Sequence, residues 1–108
     1  MSLSEKQCVP CKGGVARLSE SQAKAIHKQT PDWQLTENAT RVERNFRFAD
    51  FVAARTFVNQ VGNLAEQQGH HPDISFGWGY AHITIYTHDI KGLHENDFIL
   101  AAKIDALE

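Results

Sequence analysis

The run from Asp50 to Gln68 constrains the fold of this chain more than any other stretch. Its apolar residues Ala54, Phe57, Val58, Val61, Leu64 and Ala65 recur at the 3.6-residue period of a helix with one dry face. Asp50 is a residue type that caps a helix by accepting from its first free amides. Gly62 inside the run costs roughly 1 kcal/mol relative to alanine, so packing must hold this helix. Gly69 suits the left-handed residue just past a helix end. Pro72 blocks resumption of the helix and drives His71 toward extended backbone. A long helix therefore ends in a tight corner, and His70 and His71 sit on that corner.

A β-hairpin follows. Ile74, Phe76 and Trp78 alternate with Ser75 and Gly77, Gly79 breaks the run, and Ala81 to Thr87 return. On the return strand Ala81, Ile83 and Ile85 share one face, and His82, Thr84, Tyr86 and His88 share the other. With the turn near Gly79, positions 71 and 88 are equidistant from the hairpin centre, so closure brings His71 and His88 together at its base. Glu66 and His70 are four residues apart across the last helical turn, which puts the carboxylate within reach of the imidazole.

The other elements are shorter. Ser19-Glu-Ser-Gln22 is a capping box that predicts a helix from about Ser19 to Gln29, stopped by Pro31. Two strands follow, one around Trp33 and Leu35 and one over Arg41 to Phe48, joined by a turn at residues 37–40. A last helix runs from His94 or Glu95 to the C-terminus. Leu93, Phe98, Ala101, Ile104 and Leu107 form its apolar stripe, and Glu95 and Asp97 lie in its first turn, where the helix dipole favours anions. The order is αββαββα. Strand pairs joined by short loops imply an antiparallel sheet, and amphipathic helices should cover one face of it in a two-layer α+β fold.

Composition bounds the function. The 108 residues make one domain, with residues 1–17 expected to form a flexible N-terminal arm. A formal net charge of −2 gives no electrostatic footprint for nucleic acid or an anionic membrane. No apolar run approaches the roughly 20 residues that span a bilayer, and the first residues lack the basic-then-apolar pattern of a signal peptide. The expectation is a soluble, cytoplasmic protein. Cys8 and Cys11, the two cysteines, form a Cys-x-x-Cys pair in the arm. A zinc site needs four ligands and no second pair exists. A redox pair belongs at a helix start within a βαβ unit. The expected state is two reduced thiols.

Histidine both gives and takes protons near neutral pH. Three converging imidazoles with one nearby acid point to proton transfer on a small molecule. At this level of detail Glu66-x-x-x-His70-His71-Pro72, His82-Ile-Thr-Ile-x-Thr87-His88-Asp89, Gly92-Leu93 and Asp97 together resemble the pterin-4a-carbinolamine dehydratase family, over about Leu18 to Ala106. The resemblance implies a four-stranded antiparallel sheet with three helices on one side. It implies loss of water from 4a-hydroxytetrahydropterin to give quinonoid dihydropterin, which recycles the pterin used by aromatic amino acid hydroxylases. It implies no cofactor or metal, and a homodimer or homotetramer. The family's active-site histidines fall on His70, His71 and His88, its pterin-facing acid on Glu66, and its aspartate at the last helix on Asp97. Two positions depart from mammalian members, which carry an aromatic at the position of Ile74 and a serine at that of His94, here expected to be a poorer cap.

Dehydration of a carbinolamine needs a proton delivered to the hydroxyl leaving C4a and a proton removed from N5. One acid and one base near neutral pH suffice, each contributing roughly 10²–10⁴-fold. By resemblance His71 protonates the leaving hydroxyl and His88 is the partner acid or base. His70 positions substrate, and Glu66 bonds the pterin or orients His70. Gly69, Thr87 and Asp89 support or contact the pterin. Asp97 reads either as a supporting group or as a plain anion at a helix start. His27, His82 and His94 read as surface or sheet-face residues, and Trp33, Phe46 and Phe57 as core. Two other classes stay open. The fold family also includes dimerisation cofactors of a homeodomain transcription factor, which bind a helical segment. A metal site at His70, His71, His88 and Asp89 is disfavoured, because adjacent side chains in an extended segment point apart.

Overall fold

The computed structural model of the chain describes residues 2–9 and 16–107. It holds helix α1 (Glu20–His27), strands β1 (Gln34–Thr36) and β2 (Arg41–Arg47), helix α2 (Phe51–Gln68), strands β3 (Asp73–Gly77) and β4 (Tyr80–Ile85), and helix α3 (Glu95–Asp105). Short 3-10 turns cover Leu3–Glu5 and His88–Ile90. The four strands form one antiparallel sheet in the order β1-β2-β4-β3.

Local chemistry accounts for the boundaries. Ser19 and Gln22 cap α1 reciprocally, with the Gln22 amide donating to Ser19 Oγ and the Ser19 amide to Gln22 Oε1. Asp50 Oδ1 accepts from the Ala53 amide and starts α2. At the other end Gly69 is left-handed, with φ +63. Its amide donates to the Glu66 carbonyl, and the amide of His70 donates to that of Ala65. This pair of reversed bonds satisfies helix carbonyls that would otherwise be orphaned.

Alternation along β4 buries Ala81, Ile83 and Ile85, and β2 contributes Val42 and Phe46 on the same side. Ala23 of α1, Phe57 and Val61 of α2, and Phe98 and Ile104 of α3 complete one core against that face. Phe57 packs between Phe46 and Phe48, with ring centroids 4.7 and 5.1 Å away. Asp105 ties α3 to the sheet layer: Oδ1 accepts from Arg44 Nη1 at 2.6 Å and from buried Trp33 Nε1 at 2.9 Å. Among the described residues no helix is long and apolar enough to cross a membrane.

Three features go beyond the sequence reading. Helix α3 is buried well beyond the stripe read from its sequence, since Asn96, Asp97, Ile99 and Leu100 are buried too. The covering element is the N-terminal segment. Residues 2–9, expected in a flexible arm, lie against α3, and Leu3 is 4% exposed in the common core. Of the remaining arm, residues 10–15, with Cys11, lie outside the described residues. Second, the turn joining β1 and β2 places Glu37, Asn38 and Ala39 all at positive φ, between 51° and 64°. Third, the hairpin axis falls between Trp78 and Gly79, because Asp73 faces Thr84 and Gly77 faces Tyr80. Extended beyond the strands, that register sets position 71 across from 86 rather than 88.

Candidate active site

The left-handed residue at Gly69 turns the chain out of α2, so consecutive histidines face different surroundings. His70 is buried, with 9% of its surface exposed, and its Nε2–H donates to Asp97 Oδ1 at 2.5 Å. Asp97 is fully buried, and its other oxygen accepts from Thr87 Oγ1 and from the His94 amide, both at 2.8 Å. One carboxylate thus joins the corner after α2, the end of β4 and the start of α3. A buried carboxylate needs such partners, because leaving it unpaired costs several kcal/mol. The three bonds make Asp97 a structural anchor for His70 as well as a first-turn anion of α3. His94, expected to be a poorer cap than serine, does cap α3 with its imidazole: Nδ1 accepts from the Asn96 amide at 3.1 Å.

His71 points elsewhere. Its side chain is 61% exposed, and Nε2–H donates to Glu66 Oε2. The expected pairing of Glu66 with His70 is not the one observed. Four-residue spacing aligns side chains only while the helix continues, and the reversal at Gly69 carries His70 inward to Asp97.

His88 opens the 3-10 turn His88–Ile90, with its side chain 55% exposed. Its Nε2 lies 3.9 Å from Asp73 Oδ1, an ion-pair distance longer than a hydrogen bond. Its ring lies 4.2 Å from that of Tyr86, tilted by 44°, and the Arg41 guanidinium sits 4.5 Å from the Tyr86 ring centroid. An aromatic neighbour and a carboxylate therefore restrain His88 from two directions. The loop that carries it closes on itself, with the Thr87 amide donating to the Gly92 carbonyl at 2.9 Å.

These groups surround a pocket of about 230 Å³ lined by Val9, Gly69, His70, His71, Tyr86, Thr87, His88 and Asp89. Of the eight site residues singled out from sequence, six line it. Glu66 and Asp97 do not; each stands behind a lining histidine and is bonded to it. A larger hollow of about 610 Å³, between α1 and β1, includes none of them. His82 is on the open face of the sheet, where its Nε2–H donates to Glu43 Oε1 at 2.9 Å. Glu43 also accepts from Thr36 Oγ1; that hydroxyl first, then His82, holds its carboxyl below the ordinary value.

Three residues near the histidines escaped the sequence reading. Tyr86 was legible as a neighbour of His88 on the same strand face, at period two. Asp73 follows Pro72 directly, but its proximity to His88 depends on strand register. Val9 carries no signal, since it reaches the pocket only through the packing of the N-terminal segment.

The chain matches known proteins along nearly its whole length. The sequence pattern of the family described as "Pterin 4 alpha carbinolamine dehydratase" matches residues 16–107. A protein of Halorhodospira halophila is 54% identical over 107 residues, covering 99% of this chain and 98% of its own. One from Methylococcus capsulatus is 50% identical over 106 residues, covering 98% and 93%. Both carry the name of this dehydratase as a provisional designation. Among solved structures, a transcriptional coactivator/pterin dehydratase from Brucella melitensis superposes with a TM-score of 0.78 at 31% identity, over 84% of this chain and 97% of that one. A pterin dehydratase-like protein identified as a RuBisCO assembly factor in the alpha-carboxysome gives 0.61 at 28% identity, over 70% and 88%.

Proposed function

The chain belongs to the pterin 4 alpha carbinolamine dehydratase family, and from that premise we propose that its histidine pocket removes water from 4a-hydroxytetrahydropterin by general acid/base catalysis. The observation that carries the reading is the convergence of His70, His71 and His88 on one small polar pocket, with Glu66 and Asp97 bonded behind two of them.

In this reading the hydroxyl at C4a leaves as water after taking a proton, while the ring electron pair at N5 expels it and N5 loses its proton. His71 delivers the proton. Its Nε2–H is held by Glu66, so the proton passed to the hydroxyl is the Nδ1–H of the protonated ring, and His71 is left neutral when the water departs. His88, restrained by Tyr86 and facing Asp73, is the partner acid or base. His70 positions the pterin: with Nε2–H committed to Asp97, its Nδ1 is the free acceptor. Thr87 and Asp89 supply further polar contacts. The product is a quinonoid dihydropterin, and the cellular role is recycling of the pterin of an aromatic amino acid hydroxylase in the cytoplasm.

The test is stopped-flow observation of chemically generated 4a-hydroxytetrahydropterin with and without the protein. Acceleration over background, unchanged by a chelator, is the expected result. No acceleration ends the reading, and activity that vanishes with the chelator and returns with zinc ends its metal-free mechanism.

A second reading is a protein-binding role. Phe51, Val52, Phe76 and Trp78 are exposed, and Phe51 and Phe76 stack with centroids 5.6 Å apart. Exposed apolar patches mark interaction sites, and this one adjoins β3, an edge of the sheet. A second copy of the chain, in a homodimer or homotetramer, is the occupant we favour. Sedimentation analysis of Trp78→Ser against the parent chain checks it, with dissociation as the expected result.

A further inference from the structure

We propose that the N-terminal segment is a wall of the pterin pocket and that Val9 is a residue that sets its affinity for substrate. The inference rests on the dehydratase reading above. It starts from Asn96, a polar side chain in the first turn of α3 that is only 2% exposed. Both ends of its amide group are used on one residue: the Val9 amide donates to Asn96 Oδ1 at 3.0 Å, and Asn96 Nδ2 donates to the Val9 carbonyl at 2.6 Å. One side-chain amide thus meets the N–H of one peptide group and the C=O of the next, the two that flank the Val9 Cα.

The clamp does not stand alone. The Cys8 amide donates to Oε1 of Gln68, the last residue of α2, at 2.9 Å, and Gln68 Nε2 donates to Gln7 Oε1 at 2.9 Å. Lys6 pairs with Glu95 at 2.9 Å, and Lys103 Nζ donates to the Ser4 carbonyl at 2.9 Å. Leu3 is sunk in the core. Residues 3–9 are thus fastened to the two helices that frame the histidine corner, through the backbone of Ser4, Cys8 and Val9 and the side chains of Leu3, Lys6 and Gln7.

Val9 nevertheless stays 57% exposed, and it lines the pocket opposite polar groups. A residue whose backbone is held at both polar atoms while its side chain packs on no core is placed to meet a ligand. The anchors are also adjacent in sequence: Asn96 holds Val9, and Asp97 holds His70. One turn of α3 therefore sets the spacing between the wall and the substrate-positioning histidine.

Two substitutions in the full chain test this. Val9→Pro removes the amide that donates to Asn96. Val9→Trp keeps both clamp atoms and adds bulk at the wall. KM and kcat are measured for 4a-hydroxytetrahydropterin, binding by the polarisation of fluorescent biopterin, and stability by Tm. The expected result for Val9→Pro is a KM and a biopterin Kd raised roughly fivefold, the effect of one lost hydrogen bond. For Val9→Trp a rise of at least that size is expected, with kcat changed less than about twofold in both, since a wall acts on uniform binding. If Val9→Pro also lowers Tm, Val9→Trp decides. Wild-type KM and Kd in both variants, or a loss confined to kcat, would overturn the wall while leaving the dehydratase reading standing. A parent chain that neither binds biopterin nor accelerates dehydration would overturn both.

Discussion

Each of four histidines faces a carboxylate supplied by a different element: His70 faces Asp97 of α3, His71 faces Glu66 of α2, His82 faces Glu43 of β2, and His88 faces Asp73 of β3. Burial separates their roles. His70 is enclosed and bonded at one nitrogen, whereas His71 and His88 are open to solvent on the pocket. Substituting His71→Ala or His88→Ala is expected to lower background-corrected turnover by roughly 10²–10⁴-fold each, the usual worth of a general acid or base. His82→Ala, near the turn of the hairpin and away from its base, should change it little. The His71/His88 double variant should lose less than the product of the single losses, because groups serving one transition state act as a unit. Equal, small effects at all three positions would show that the histidines are structural. The candidate set was legible from sequence because the spacing of corner and hairpin is local. The partners of His70 and Glu66 were not, since the choice between them depends on where α3 packs.

At the scale of elements, the corner after α2 depends on one backbone conformation. Gly69 has φ +63, and a Cβ there would meet no heavy atom within 4 Å. The cost of Gly69→Ala is therefore conformational rather than steric, about 1 kcal/mol after the gain from a stiffer unfolded chain is subtracted. Urea denaturation should show that loss, with Gly69→Asn losing less because asparagine tolerates the left-handed region better. An unchanged midpoint for Gly69→Ala would mean the corner relaxes to another shape. Helices α1 and α2 were readable because their caps and periodicity are contained within each segment. The left-handed turn at residues 37–39 was not, since Glu37 and Ala39 carry no local preference for that conformation.

For the whole molecule, acid stability offers a test of the sheet's open face. Thr36 and then His82 hold the Glu43 carboxyl below its ordinary value of 4.5. A carboxylate with a lowered folded-state value adds stability that is fully present above the unfolded value and is lost as pH falls through the folded one. The stability difference between the parent chain and Glu43→Gln should therefore be largest above 4.5 and shrink as the solution is acidified below it. Urea titrations across that range check the sign, and a difference that stays constant with pH would refute the linkage.

By itself the sequence determined the αββαββα order, the two-layer α+β arrangement, the core face of β4 and the cluster of His70, His71 and His88. All of these follow from local periods, caps and turn residues, which act over a few positions. Only the tertiary structure decided the rest. Asp97 became the anchor of His70 because α3 docks beside the corner, and Glu66 was released to His71. Residues 2–9 became part of the core and of the pocket because α3 presents apolar and amide groups on the side away from the stripe read in its sequence. Contacts between segments 27 and 87 positions apart leave no trace in local spacing; they exist only once the sheet and helices have set where each segment lies.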